Sequence, residues 1–220
     1  GVSSMTFLFT DLRNSTSLYE KFGDARFYGW VRDHFDVLTE TVRAEGGTVV
    51  KTIGDAVMAF WNAPVTIADH QYRAARAALG IRHDVASLNK QPALDALLKK
   101  NGAVPLAVRV GLASGPACVG NMGSSERFDY SVLGETVNIA SRAEGICKRI
   151  DHDITIAGAI SERTATLASL YAGKVPMKGK SQVQPIHALV GDAQLAVSYS
   201  FKHLGVAYME IARNIAKGRG

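Results

Sequence analysis

The stretch Val49-Val50-Lys51-Thr52-Ile53-Gly54-Asp55-Ala56-Val57-Met58-Ala59-Phe60-Trp61 sets two β-rich runs, Thr48 to Lys51 and Ala56 to Phe60, about a tight Thr-Ile-Gly-Asp connection. That pattern predicts a β-hairpin, with Gly54 relieving the turn. Aspartate at a hairpin tip is ordinarily a turn former. A second carboxylate, Asp11, also closes an apolar run, Thr6-Phe7-Leu8-Phe9-Thr10-Asp11-Leu12. If the two runs are neighbours in one sheet, two like charges meet, and they need a cation between them. A divalent-metal site at Asp11 and Asp55 is therefore expected, with a pair of plain turn aspartates as the competing reading.

At 220 residues the chain has the length of one domain with appendages, and it can bury a full core. A hydrophobic share of 47% and a mean hydropathy of +0.03 are those of a soluble globular protein. No apolar run approaches the ~18 residues of a membrane span, and no signal peptide is visible. The chain goes from Gly1-Val2-Ser3-Ser4 straight into a strand, which reads as a domain cut from a longer protein, with sensor or membrane segments expected elsewhere in it. Cys118 and Cys147 lack metal-ligand spacing and suit a reducing, cytoplasmic compartment. The net charge of +5 and pI near 9.2 come from dispersed basic residues rather than one run, so no nucleic-acid role is expected.

Along the chain, a first strand is expected over Met5 to Thr10, then a short helix from Asn14 to Phe22 ended by Gly23. Asp24 is expected to cap a long helix to about Ala44. Its positions Phe27, Trp30, Val31, Phe35, Leu38 and Val42 have helical spacing for one buried stripe, on which His34 also falls as a structural histidine. A second long helix is expected from Ile67 to Leu88, with Arg73, Arg76 and Arg82 as a solvated face. Gln91 to Gly102 reads as a short helix and loop. Leu106 to Ala113 and Ala117 to Gly120 read as strands about Ser114-Gly115-Pro116, and Asn121 to Phe128 as a polar loop. A strand over Asp129 to Val132 then leads to a helix from Glu135 to Arg149. A strand at Ile154 to Ala157, a helix at Ala159 to Leu167 and strands at Val175 to Gly179 and Pro185 to Val190 complete the order. This is an α+β chain, a mixed βαβ sandwich with long helices on a sheet. Asp192 to Gly220 reads as an amphipathic extension through Leu195, Tyr199, Leu204, Tyr208, Ile211 and Ile215, which Gly205 weakens.

Three segments carry a family resemblance: Phe9-Thr10-Asp11 with Ser15-Thr16, Lys51-Thr52-Ile53-Gly54-Asp55, and Tyr130-Ser131-Val132-Leu133-Gly134-Glu135-Thr136-Val137-Asn138-Ile139-Ala140-Ser141-Arg142. In this order and at these separations they resemble the class III nucleotide cyclases. The resemblance runs over about residues 5 to 190 and implies a ferredoxin-like, palm-type sheet flanked by long helices. The organisation it suggests is a cyclase catalytic domain over residues 1–190 and an extension over 191–220.

The reaction so implied is attack of a ribose 3′-hydroxyl on the α-phosphorus of a nucleoside triphosphate, with loss of pyrophosphate. It calls for two divalent cations, Mg²⁺ or Mn²⁺, held by Asp11 and Asp55, and the resemblance adds the backbone carbonyl of Leu12. Lys51 matches the base-reading lysine of the adenine-selecting members, where guanylate cyclases carry Glu. An ammonium can donate to N1 of adenine, whereas N1 of guanine carries a hydrogen. The partner position falls on Ser131, which departs from the Asp or Thr of most members, yet its hydroxyl can still bond the adenine 6-amino group. Asn138 and Arg142, at i and i+4, share one helix face, while Val137, Ala140, Ala143 and Cys147 form the inward one. The pair matches the residues that orient the ribose and stabilise the transition-state phosphate. Lys178 matches the phosphate-binding lysine, Lys180 stands close enough to replace it, and Arg127 is a lesser phosphate candidate. Glu144 either orients Arg142 or faces water.

In the family the site is shared between protomers. The expectation is thus a head-to-tail homodimer that uses Asp11 and Asp55 of one chain with Lys51, Ser131, Asn138 and Arg142 of its partner, acts on ATP, and makes no membrane contact through this domain. The rival readings are a regulatory dimerisation module without turnover, which Ser131 alone favours, and a guanylate cyclase, which Lys51 disfavours. A diguanylate cyclase or polymerase palm would show an acidic Gly-Gly turn, whereas Gly46-Gly47 is followed by Thr48-Val49.

Overall fold

The computed structural model describes residues 2–121, 130–158, 160–176 and 183–216. The elements run β1 (Val2–Arg13), α1 (Ser15–Phe22), α2 (Asp24–Ala44), β2 (Thr48–Ile53), β3 (Ala56–Trp61), α3 (His70–Leu88), α4 (Pro92–Lys100) and β4 (Ala107–Asn121). They continue with β5 (Tyr130–Leu133), α5 (Glu135–Ile150), β6 (Ile154–Ala157), α6 (Ile160–Arg163), β7 (Ala168–Pro176), β8 (Val183–Gly191), α7 (Ala193–Val197) and α8 (Tyr199–Ala216). The strands form one mixed sheet in the order β2-β3-β1-β4-β6-β8-β7, with β5 paired to β4. Among the described residues only β4–β6 is parallel. The α+β expectation holds.

Side-chain alternation divides the sheet into two faces. From β1, Leu8 and Leu12 enter one core with Val108, Val110 and Leu112 of β4, under α2 and α3. Met5 and Phe7 enter a second core, with Ala113 of β4 and Ala140, Ala143 and Ile146 of α5. Odd-numbered positions of β1 and β4 therefore look toward α5. The helix comes very close there: a Cβ on Gly111 would stand 2.1 Å from the backbone nitrogen of Glu144 and 2.4 Å from the carbonyl oxygen of Ala140. Only glycine lets α5 lie that near to β4.

Several boundaries differ from the sequence reading. β1 extends past Met5–Thr10 at both ends because it pairs with β4 along its whole length, from Val2↔Cys118 to Arg13↔Ala107. For the same reason β4 is one strand of 15 residues rather than two runs about Ser114-Gly115-Pro116. Pro116 is tolerated in it because its carbonyl turns away from β1 to accept from the Thr136 hydroxyl at 2.9 Å. Gly23 and not Asp24 precedes α2, with no side-chain cap. α3 begins at His70 rather than Ile67.

The arginines of α3 are engaged, not simply solvated. Arg73 pairs with Asp69 at 2.8 Å and Arg76 with Glu45 at 3.2 Å, and Arg82 donates to the Val190 carbonyl at 2.7 Å. The expected helix over Ala159 to Leu167 shortens to α6, and β7 starts at Ala168 because β8 pairs with it from Gly191 back to Val183. The extension is two helices broken at Ser198, and Tyr199, Leu204 and Ile211 of its expected stripe are exposed. Among the described residues no helix is long and apolar enough to cross a membrane.

Candidate active site

The site is built at one end of the three central strands. The β1–β3 ladder runs from Thr6↔Trp61 to Thr10↔Val57. Its last step is fastened by Val57, whose backbone N–H donates to the buried Thr10 hydroxyl at 3.2 Å. The next residue of β1 is Asp11, and the next positions back along β3 lead into the Gly54–Asp55 turn. Gly54 takes φ +62°, the left-handed region that suits glycine. The hairpin tip thereby stands where the β1–β3 ladder ends, beside Asp11, while β1 itself continues to Arg13 along β4.

The electrostatics agree. Burial raises the Asp11 carboxyl above its ordinary value, and the nearby negative charge of Asp55 raises it further. Arg109, Lys148 and a hydrogen bond from the Leu12 backbone oppose that rise. Arg109 is the cross-strand partner of Asp11, and its Nη1 stands 3.6 Å from Asp11 Oδ2, with side-chain exposures of 13% and 37%. Leu12 is buried.

Two half-open carboxylates in mutual repulsion fit a hard divalent cation. Among the described residues no three His, Cys, Asp or Glu side chains converge tightly enough to hold a metal together. Asp11 and Asp55 thus suit a site whose other positions would go to backbone carbonyls, water or a ligand's oxygens. Beside Asp55 opens a cavity of about 540 Å³, lined by Ser15, Thr16, Tyr19, Phe27, Tyr28 and Val31. A cavity of about 740 Å³ between β7 and α8 lies on other elements, and no carboxylate of the pair lines it.

Asn138 is exposed and Arg142 half-buried on α5, whose Ala140, Ala143 and Cys147 are buried, as the helical spacing predicts. Glu144 of α5 feels both Asp11 and Asp55. It lies about 200° round the helix from Arg142 and is half-buried. Burial raises its carboxyl, as do Asp11 and Asp55, while Arg109 and Lys148 oppose. Lys51 lies in β2 opposite Met58, just past an irregularity at Val50, and Ser131 in β5 opposite Gly120. The side chains of both fall outside the described residues, as do Arg127, Lys178 and Lys180 altogether. Sequence reasoning passed over Arg109. The available signal was a lone charge inside the apolar run Ala107-Val108-Arg109-Val110.

Behind the hairpin, His34 of α2 is 1% exposed, and neither ring nitrogen has a hydrogen-bond partner among the described residues. Burial pushes its pKa down from 6.5 to about 4, against an opposing pull from Asp55. Between those values the unfolded chain binds more protons than the folded one, so acid favours unfolding. Stability is full above pH 6.5 and falls as the pH drops toward 4, by about 2 kcal/mol at pH 5 from His34 alone. Burial lowers His70 and His187 too, and they act in the same direction. Urea denaturation at pH 7.5 and pH 5 should therefore show a marked loss for the native chain and one smaller by about 2 kcal/mol for His34→Leu. An unchanged pH slope in that variant would refute this account of His34.

Comparison with known proteins agrees with the architecture. The family model described as "Adenylate and Guanylate cyclase catalytic domain" matches residues 1–191. Adenylate cyclase 1 of Rhizobium meliloti is 31% identical over 188 residues, 85% of this chain and 27% of that protein. The adenylate cyclase of Anabaena cylindrica is 28% identical over 187 residues, 83% of this chain and 36% of that one. The chain thus spans about a third or less of the length of these curated relatives. The solved adenylyl cyclase CyaB from P. aeruginosa superposes with a TM-score of 0.75 at 25% identity, over 87% of this chain and 96% of that one. The guanylyl cyclase Cya2 reaches 0.74 at 24% identity, over 87% and 94%, a likeness of fold alone.

Proposed function

This chain belongs to the adenylate and guanylate cyclase catalytic domain family, and from that premise we propose that it converts ATP to 3′,5′-cyclic AMP and pyrophosphate. The observation that carries the proposal is the approach of Asp55, in the β2–β3 turn, to Asp11, the first residue of β1 beyond the β1–β3 ladder, close enough that one raises the other's proton affinity. Both carboxylates, with the Leu12 carbonyl, hold the divalent cations, Mg²⁺ or Mn²⁺. When bound, these supply Lewis acidity to the ribose 3′-hydroxyl and charge compensation to the triphosphate. The chain's own residues do the rest. Asn138 orients the ribose through its amide. Arg142 donates to the phosphate oxygens on which charge develops. Lys51 donates to adenine N1, and Ser131 bonds the 6-amino group. Lys178, Lys180 and Arg127 serve the phosphates.

A second copy completes each site. Glu144 of α5 senses the chain's own carboxylates, and Arg142 stands about 200° round that helix from it. Asn138 and Arg142 therefore suit the metal pair of a partner in a head-to-tail homodimer. The catalytic unit is residues 1–190. We place it in the cytoplasm, where its substrate is abundant and its two free cysteines stay reduced. Burial pushes the Cys147 thiol up to about 11, so it takes no part.

The test is product formation with Mn²⁺, ATP against GTP, beside Lys51→Glu. Cyclic AMP should exceed cyclic GMP by at least about tenfold, the scale of one buried base contact, and Lys51→Glu should shrink that ratio. Nucleotide binding without turnover at high protein concentration would favour the regulatory module instead, and a native preference for GTP the guanylate cyclase.

A further inference from the structure

Asp11 and Arg109 are cross-strand partners on the face of the sheet that meets α5. The guanidinium, nearly buried, reaches to 3.6 Å from Asp11 Oδ2. A cation so placed competes with a metal for the same oxygen. Glu144 is brought toward this pair where the α5 backbone rests against Gly111, two residues along β4 from Arg109. It senses Asp11, Arg109, Lys148 and Asp55, yet it forms no three-ligand metal group with the aspartates. Among the described residues no ion pair joins it to Arg109, so it acts on the guanidinium through its charge.

We propose that Glu144 is a positioning residue that draws the Arg109 guanidinium away from full pairing with Asp11 and so leaves that carboxylate free to take a divalent cation. With Glu144 present, three carboxylates face two cations, Arg109 and Lys148, and the site keeps a net negative charge. Neutralising Glu144 balances the remaining charges, and Arg109 claims Asp11. The effect runs through Arg109, so it vanishes when Arg109 is removed as well. Neighbours one step removed from a metal ligand commonly alter affinity by about 10–100-fold. This inference rests on the metal reading of Asp11.

The experiment is Mn²⁺ binding to the whole chain at pH 8 without nucleotide, read from the electron paramagnetic resonance signal of free Mn²⁺. Glu144→Gln should weaken binding about tenfold. Arg109→Gln should bind at least as tightly as the native chain, and Arg109→Gln/Glu144→Gln should return to within about threefold of it. Asp11→Ala should lose the site. Thermal melts without metal show that each variant is folded, and Arg109→Gln alone keeps the idea open to refutation should Glu144→Gln fail to fold. The proposal is overturned if Glu144→Gln binds as the native chain does. It is overturned equally if the double variant stays as weak as Glu144→Gln, or if Arg109→Gln alone weakens binding tenfold. Mn²⁺ binding indifferent to Asp11→Ala would overturn the metal reading itself, and this inference with it.

Discussion

Replacing Asp55 with Ala should abolish cyclic nucleotide formation, lowering turnover by at least about 10³-fold, while leaving the protein folded. The size follows from the proposed role: losing one of two carboxylates that carry the cations forfeits several kcal/mol of transition-state stabilisation. Stability should scarcely change. Asp55 lies half-exposed in a hairpin turn, and a substitution in such a place is typically worth less than about 0.5 kcal/mol. Removing it also relieves the repulsion felt by Asp11. Cyclic AMP production and urea denaturation, measured on the same preparation, separate the two effects. Retention of more than a tenth of native turnover would count against Asp55 as a metal residue.

The second large effect is rescue by mixing. Asp55→Ala and Arg142→Ala should each be nearly inactive alone. Combined in equal amounts and allowed to exchange, half the dimers pair one chain of each kind. In these, one site receives Asp11 and Asp55 from the Arg142→Ala chain and Asn138 and Arg142 from the Asp55→Ala chain. The other site lacks both contributions. Activity should therefore recover to about a quarter of the native level, the fraction set by two sites per two-fold dimer. The exposed position of Asn138, on the helix whose Glu144 attends the chain's own carboxylates, motivates the expectation. No recovery in a mixture shown by sedimentation to contain dimers would mean that each site is complete within one chain.

Much of this was legible in the residues, and the parts that were not share a physical origin. The Thr48–Trp61 hairpin, the stripe of α2 and the inward face of α5 depend on alternation, helical period and a turn glycine, all local properties. Strand length depends instead on the partner. Ser3, Ser4 and Arg13 belong to β1 because β4 bonds to them, and the start of β7 follows from β8 in the same way. Long-range pairing of this kind leaves no trace in the apolar pattern of a single segment. The α3 arginines read as solvent-facing for the same reason, since Glu45 and the Val190 carbonyl are remote in sequence.

By itself the sequence determined an α+β chain with Asp11 and Asp55 at apolar strand ends and with Asn138 and Arg142 a helical turn apart, because periodicity and turn chemistry are written in neighbouring residues. Only the tertiary structure decided that β1 lies beside both β3 and β4, that Arg109 meets Asp11, and that Glu144 senses both carboxylates. Each of these is a contact across many residues, set by strand register and by the close approach that Gly111 allows. Charges acquire their partners only when the sheet assembles.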